Sequence, residues 1–263
     1  MWPSGAQPKL FGVFHIIGVL LAIAAGFGGY FLGKKFKENK KNRYAFLLIS
    51  EIAFIVLEIA KEAFYAIENG GYRWDMFPMQ ICSIILFVLP VVLIVKDGVV
   101  KDSALGFIGF CSLAGAIFYF FNPTAALNTP YILLSVHSFL WHWLMIATGV
   151  FVIVAFGLLR KNVLRVLIGS YAVWLVFGVV AAVANNVAYA VSPELGIDYY
   201  HIGYVKVIYP LLNILFKTPE PYVPFFLCFM IYYAVGTVLI YCAAVGVSKL
   251  WFYGKKQTET TEE

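Results

Sequence analysis

The chain alternates between long apolar runs and short polar breaks, and no break is long enough to hold a soluble folded unit. Runs near 10–32, 44–67, 78–95, 104–121, 131–158, 163–191 and 222–247 approach or exceed the roughly 20 residues a helix needs to cross a hydrocarbon core. Strict alternation of apolar and polar positions is absent, so the runs read as helices rather than barrel strands. The segment 192–221 is longer than a loop requires. Its Tyr199, Tyr200, Tyr204 and Tyr209, mixed with Ile and Leu, predict a helix lying in the outer interface. The expected fold is all-α: a single membrane domain over 1–263, an up-and-down bundle of seven transmembrane helices. Ala22-Ile23-Ala24 resembles a signal-peptide cleavage site, but apolar sequence continues to Leu32 and only Lys9 precedes it, so the first span reads as retained.

Composition agrees with the pattern. Hydrophobic residues make up 62%, aromatic residues 18% and charged residues 13%, against about 25% charged in a soluble globular chain. That is too little charge to coat a water-facing surface, and it excludes disordered, collagen-like and nucleic-acid-binding classes. The placement of charge sets the orientation. Lys34, Lys35, Lys37, Lys40, Lys41, Arg43, Lys96, Lys101, Arg160, Lys161, Arg165, Lys249, Lys255 and Lys256 fall on one side of the predicted spans. Only Lys9, Arg73, Lys206 and Lys217 fall on the other. The positive-inside rule then places the N-terminus outside and the C-terminus inside a cell membrane. The cysteines Cys82, Cys111, Cys228 and Cys242 lie in apolar runs without C-x-x-C spacing, so no metal and no organic cofactor is expected.

In such a chain the informative residues are those that hydrocarbon should exclude. Glu51, Glu58 and Glu62 share one face of the second span at ~100° per residue, and Lys61 is three positions from Glu58 and able to pair with it. The first span offers His15; the third offers Gln80, Cys82 and Ser83. The fifth offers His137 and His142, and the sixth offers Asn185, Asn186 and Tyr189. With the N-terminus outside, a rise of ~1.5 Å per residue puts these groups in the outer half of the bilayer. They predict one water-accessible cavity opening outward, lined by His15, Glu58, Gln80, Ser83, Asn185 and Tyr189. His137 and His142 stand ~140° apart on their helix, so both cannot face one site. His142 is the deeper and the better candidate, His137 the interfacial one. Cys111, Cys228 and Cys242 are assigned to packing. Intramembrane histidines and a self-neutralised Glu–Lys cluster also serve purely to lock helices together, and that reading stays open.

A short internal echo is visible. Phe14-His15 resembles Trp141-His142, and Pro78–Cys82 resembles Pro224–Cys228, as a 3+1+3 parallel repeat would require.

The series Phe11-Gly12-x-x-His15, Phe77-Pro78-Met79-Gln80-Ile81-Cys82-Ser83, Phe139-x-x-His142, Asn186-x-x-Tyr189 and Pro219-x-Pro221-Tyr222 resembles the YwaF-type integral membrane proteins of Gram-positive bacteria. Those proteins are similar to an animal multi-pass family implicated in cysteine-dependent acyl transfer to ether phospholipids. The chain departs at Gln80, where a histidine two residues before the cysteine is expected, so that position supplies no base. The resemblance implies a lipid acyltransferase or acyl-ester hydrolase whose partner is a membrane lipid. In it Cys82 attacks an acyl ester, His142 is the general base, and Asn186 or Glu58 orients the imidazole. The alternative is a proton-coupled small-molecule transporter or ligand sensor, for which the acidic face and the 3+1+3 echo would serve.

Overall fold

The computed structural model describes residues 1, 7–193, 196–202, 210–217 and 222–261. Helix α1 (Val13–Phe36) begins after extended Gly12. Helix α2 (Lys40–Asn69) is capped by Asn39, whose side-chain oxygen accepts the Asn42 N–H at 3.0 Å. It stops at Gly70, which adopts the left-handed conformation (φ 67°) that suits a residue without Cβ. Two 3-10 turns follow, Trp74–Met76 and Ile81–Ile84, and the second runs into α3 (Ile85–Ile94). Helix α4 (Val99–Gly106), a π-helical stretch (Phe107–Ser112) and α5 (Leu113–Tyr119) form one continuous rod. A short α6 (Thr124–Leu127) leads to α7 (Ile132–Ala155), and α8 (Val163–Val191) is capped by Asn162 in the same way as α2. The 3-10 turn Tyr199–His201, α9 (Pro210–Leu215) and α10 (Tyr222–Thr261) complete the order.

Five of these segments are long and apolar enough to cross a membrane: Val13–Phe36, Val99–Tyr119, Ile132–Ala155, Val163–Val191 and Tyr222–Lys249. The protein is an all-α, multi-pass membrane protein. The other two expected spans are present as helices of different character. The second, α2, carries its charged face, and the third is regular only from Ile85, since the chain through Phe77-Pro78 is a loop. The predicted interfacial helix is also different. Its described part is a 3-10 turn followed, beyond a stretch outside the described residues, by short α9. Tyr199 and Tyr200 turn inward rather than lying flat. Tyr204, Lys206, Tyr209, Pro219 and Pro221 lie outside the described residues.

Helix α7 is the axis of the bundle. Against it lies α1 in the same direction, along a seam of small residues. A Cβ on Gly18 would fall 2.0 Å from the Phe139 ring, and one on Gly29 would fall 2.3 Å from the Ala147 carbonyl oxygen, so both backbones approach as only glycine permits. Helix α2 packs antiparallel on another side through Phe46–Phe151 (3.9 Å) and Phe54–Trp141 (4.9 Å). On a third side the π-helical stretch presses against Gly149 and is buried throughout. Helix α10 reaches the same stretch through Phe110–Tyr241 (5.6 Å).

Candidate functional site

Among the described residues, the polar residues singled out in the sequence form separate hydrogen-bonded groups rather than one connected set. The first surrounds Cys82, which is half-buried in the first turn of the 3-10 segment that opens α3. The loop that brings it there is held by its backbone carbonyls. The Lys61 ammonium donates to the Met76 carbonyl (3.2 Å), the Tyr199 phenol to that of Trp74 (2.9 Å), and the Tyr200 N–H to that of Met79 (3.1 Å). The Trp141 indole donates to the carbonyl of Cys82 itself (3.1 Å). Gln80 turns the other way, its amide donating to the Asp198 carbonyl at 3.0 Å. Gln80 is therefore a strut between two segments. Ser83, the next residue, is buried.

Lys61 is the hub of the polar network on α2. Its Nζ lies 2.6 Å from Glu58 Oε1 and 3.4 Å from Glu62 Oε1. The Lys61 charge, the Glu58 carboxylate and the Tyr119 phenol all lie within electrostatic range of the Cys82 sulfur. Glu51, two helical turns below on the same face, is buried, and its Oε2 has no hydrogen-bond partner among the described residues.

The second group is built on His142. Its ring lies parallel to the Tyr119 ring at 3.5 Å, and Tyr119 is pinned through its hydroxyl to Ser138 Oγ (2.8 Å). His142 Nδ1 is 2.6 Å from the Ser138 carbonyl. A carbonyl only accepts, so Nδ1 carries the proton and Nε2 presents its lone pair. No hydrogen bond joins His142 to Cys82 among the described residues; the Tyr119 ring covers one face of the imidazole. His137 faces α2 instead and donates Nε2–H to the Leu57 carbonyl at 3.0 Å.

Asn186 does not orient the imidazole. Its amide donates to the Ala182 carbonyl one turn back (2.8 Å), and the side chain is exposed. A turn of ~100° per residue sends Asn185 inward where Asn186 points out. Buried Asn185 pairs with the backbone of Tyr199 on both edges, donating to its carbonyl and accepting its N–H, each at 2.9 Å. Burial, with the nearby carboxylates of Asp75 and Glu62, pushes the Tyr199 phenol above its usual range, so it stays a donor to Trp74. Tyr189 is 53% exposed.

His15 forms the third group alone. Its Nδ1 accepts the Phe11 N–H (3.1 Å), which leaves Nε2–H to donate to the Phe120 carbonyl (2.9 Å). Both ring nitrogens are satisfied, and the residue ties the start of α1 to the end of α5 rather than lining a cavity. The sequence reading also missed a polar node on the π-helical stretch. Cys111 sulfur lies 3.1 Å from both Ser170 Oγ on α8 and Thr237 Oγ1 on α10. Helical periodicity hides it, because a π turn shifts the facing of each side chain. No group of three or more His, Cys, Asp or Glu among the described residues is arranged to hold a metal.

A family model described as the TMEM164 family matches residues 10–249. No curated protein and no solved structure matches the chain. The sequence resemblance ran through YwaF-type bacterial proteins to an animal family, and the match supports the latter and not the YwaF-type name. With nearly its whole length inside that match, the chain belongs to the TMEM164 family.

Proposed function

We propose that this protein is a membrane-embedded lipid acyltransferase that works through Cys82 and His142, on membrane phospholipid as donor and an ether lysophospholipid as acceptor. The observation that supports it most directly is the immobilised thiol. Contacts from α2, α7 and the 197–202 segment clamp the carbonyls leading to Cys82. Nucleophilic catalysis requires a fixed thiol, a base and an orienting group. In this reading the Ser138 carbonyl is the orienting group for the imidazole, the part that the sequence reading gave to Asn186 or Glu58. The family and the ether-lipid resemblance supply the substrate class.

The Cys82 S–H proton passes to His142 Nε2 while sulfur bonds to the ester carbonyl carbon. The ester C–O bond then breaks, and the departing lysolipid oxygen takes the proton from the imidazolium. The acceptor's hydroxyl repeats the sequence in reverse, leaving a new ester and a free thiol. In this reading substrate binding closes the site and brings Nε2 to the sulfur.

The same proposal places the chain in the cell membrane as a single domain of seven spans. These comprise the five apolar segments, α2 and the Ile81–Ile94 helix, with the N-terminus outside, as the lysine and arginine distribution supports. The test is purified protein in nanodiscs with a labelled diacyl phospholipid and an ether lysophospholipid. Wild type forms the acylated ether lipid and a thioester adduct on Cys82, visible by intact mass and cleaved by hydroxylamine; Cys82→Ser does neither. Full transfer by Cys82→Ser overturns the reading. A second reading, a proton-coupled carrier, is favoured by one observation, buried Glu51 on α2, whose Oε2 has no hydrogen-bond partner among the described residues. It requires substrate flux in sealed liposomes that survives Cys82→Ser.

A further inference from the structure

Helices α2, α4 and α8 all begin at the lysine- and arginine-rich end of the bundle, and side-chain contacts join their starts. The Lys101 side chain on α4 is only 8% exposed, and its ammonium donates to the Tyr44 phenol on α2 (2.9 Å) and to Asp97 just before α4 (3.1 Å). Its neighbour Asp102 reaches the other way, to Lys161 and, at 3.1 Å, to Arg165 on α8. Arg43 on α2 lies over the Phe156 ring and donates to the Ala155 carbonyl (3.1 Å), which ties in the end of α7.

The charges at this junction do not balance. Asp97 and Asp102 are already engaged, Asp102 by two cations. Beside them stand Lys40, whose ammonium lies over the Tyr44 ring at 5.9 Å, and exposed Lys41, Lys96 and Arg160, none with a carboxylate partner among the described residues. The excess reaches Asp97, whose carboxyl is held below its ordinary range by Lys101 first and by Lys40 and Lys161 further off. The helix macrodipoles add to this field. A helix start carries partial positive charge and favours acidic residues. The first turns of α2 and α8 contain none, and carry Lys40, Lys41 and Arg43 on α2 and Arg165 on α8 in their place. The positive-inside rule asks only that cations lie on this side of the membrane. Their convergence on three helix starts is unfavourable until an anion meets them.

The surface next to the cations identifies the anion. Val99 and Val100 share the first turn of α4 with Lys101, and Leu164 and Ile168 flank Arg165 on α8; all four are 60–66% exposed. The cations therefore stand where the lipid-facing apolar surface begins. A soluble anion matches only the charge, whereas a phospholipid supplies an anionic headgroup for the cations and chains for the apolar side chains beside them. We propose that the junction of α2, α4 and α8 binds the headgroup of one anionic phospholipid from the leaflet at that end, in preference to zwitterionic lipid. Basic pockets between membrane helices take anionic headgroups in this way. The junction lies at the other end of α2 from Lys61 and the Cys82 loop, so the binding holds whether or not the protein transfers acyl groups.

The experiment titrates the full chain in mild detergent with phosphatidylglycerol or with phosphatidylcholine of the same chains. Native mass spectrometry counts bound lipid, and tryptophan fluorescence follows unfolding. Wild type binds one phosphatidylglycerol roughly tenfold or more tighter than phosphatidylcholine, and unfolds at a higher temperature with it. Each cation near an anionic headgroup contributes about fivefold to affinity, so Lys40→Gln with Lys41→Gln weakens binding about 25-fold and Arg160→Gln alone about fivefold. All three side chains are exposed, so without lipid these variants unfold as wild type does. Lys34→Gln with Lys35→Gln removes two exposed cations from the same end, at the close of α1, where the negative pole of the helix already offsets them. That pair leaves binding within about twofold. Equal loss from the two pairs, or equal affinity for the two lipids, overturns the site as a diffuse positive surface. Inorganic phosphate that competes as well as the lipid at equal concentration overturns the lipid in favour of a soluble anion.

Discussion

Glu58 and Lys61 form a buried ion pair beside the loop to Cys82, whose Met76 carbonyl Lys61 also holds, and their removal separates pairing from mere burial. The side chains are 9% and 16% exposed, and Nζ lies 2.6 Å from Oε1. Removing one partner of a buried ion pair costs about 3–5 kcal/mol, mostly because the other charge is stranded. The two single changes are not equivalent here. Glu58→Gln leaves Lys61 with Glu62 at 3.4 Å and with the Met76 carbonyl, so its cost falls at or below the lower end of that range. Lys61→Met strands two carboxylates and frees the Met76 carbonyl, so it falls at the upper end. The double change Glu58→Gln, Lys61→Met removes the stranded charge that each single change creates. Its cost should be below the sum of the singles by about 2 kcal/mol, within the range for residues in direct contact. Unfolding in mixed micelles followed by tryptophan fluorescence gives all four corners of the cycle. Costs that add to within about 0.5 kcal/mol would show that the pair contributes nothing beyond the burial of each group.

The α1–α7 seam makes a paired prediction. Gly29→Ala forces Cβ into the Ala147 carbonyl and destabilises by at least about 2 kcal/mol, whereas Gly28→Ala, which meets nothing within 4 Å, is neutral or stabilising by up to ~1 kcal/mol, as thermal unfolding of the two variants would show. Asn185→Ala frees two buried backbone groups of Tyr199, lowers stability by about 2–3 kcal/mol and opens the 196–202 segment to protease, while Asn186→Ala stays within ~0.5 kcal/mol; equal sensitivity of the two would refute the assignment. Glu51→Leu removes a buried carboxyl whose Oε2 has no partner and leaves stability unchanged or raised in the same micelle assay. A large loss there would mean that Glu51 holds something that this fold depends on.

Hydrophobic pattern alone determines a great deal here. Backbone groups in hydrocarbon have no water to bond, so a run of about 20 apolar residues has few options besides a helix. That constraint is local, and α8 accordingly spans 163–191 as the pattern predicts. Short-range charge pairing is equally legible, since Lys61 is bound to meet Glu58 one turn away on the same helix. What the sequence leaves open is the rotation of each helix about its axis, because apolar residues face lipid as readily as protein and mark no inner side. That rotation decides that Asn185 rather than Asn186 turns inward, and that His15 spends both ring nitrogens on backbone. It also places the Ser138 carbonyl, a group with no sequence signature, on the His142 ring. The π turn at Phe107–Ser112 resets the facing once more and brings Cys111 to Ser170 and Thr237. The grip of Lys61, Trp141 and Tyr199 on the Cys82 loop is made through backbone carbonyls, which every residue carries alike, so only the packed structure could reveal which ones are held.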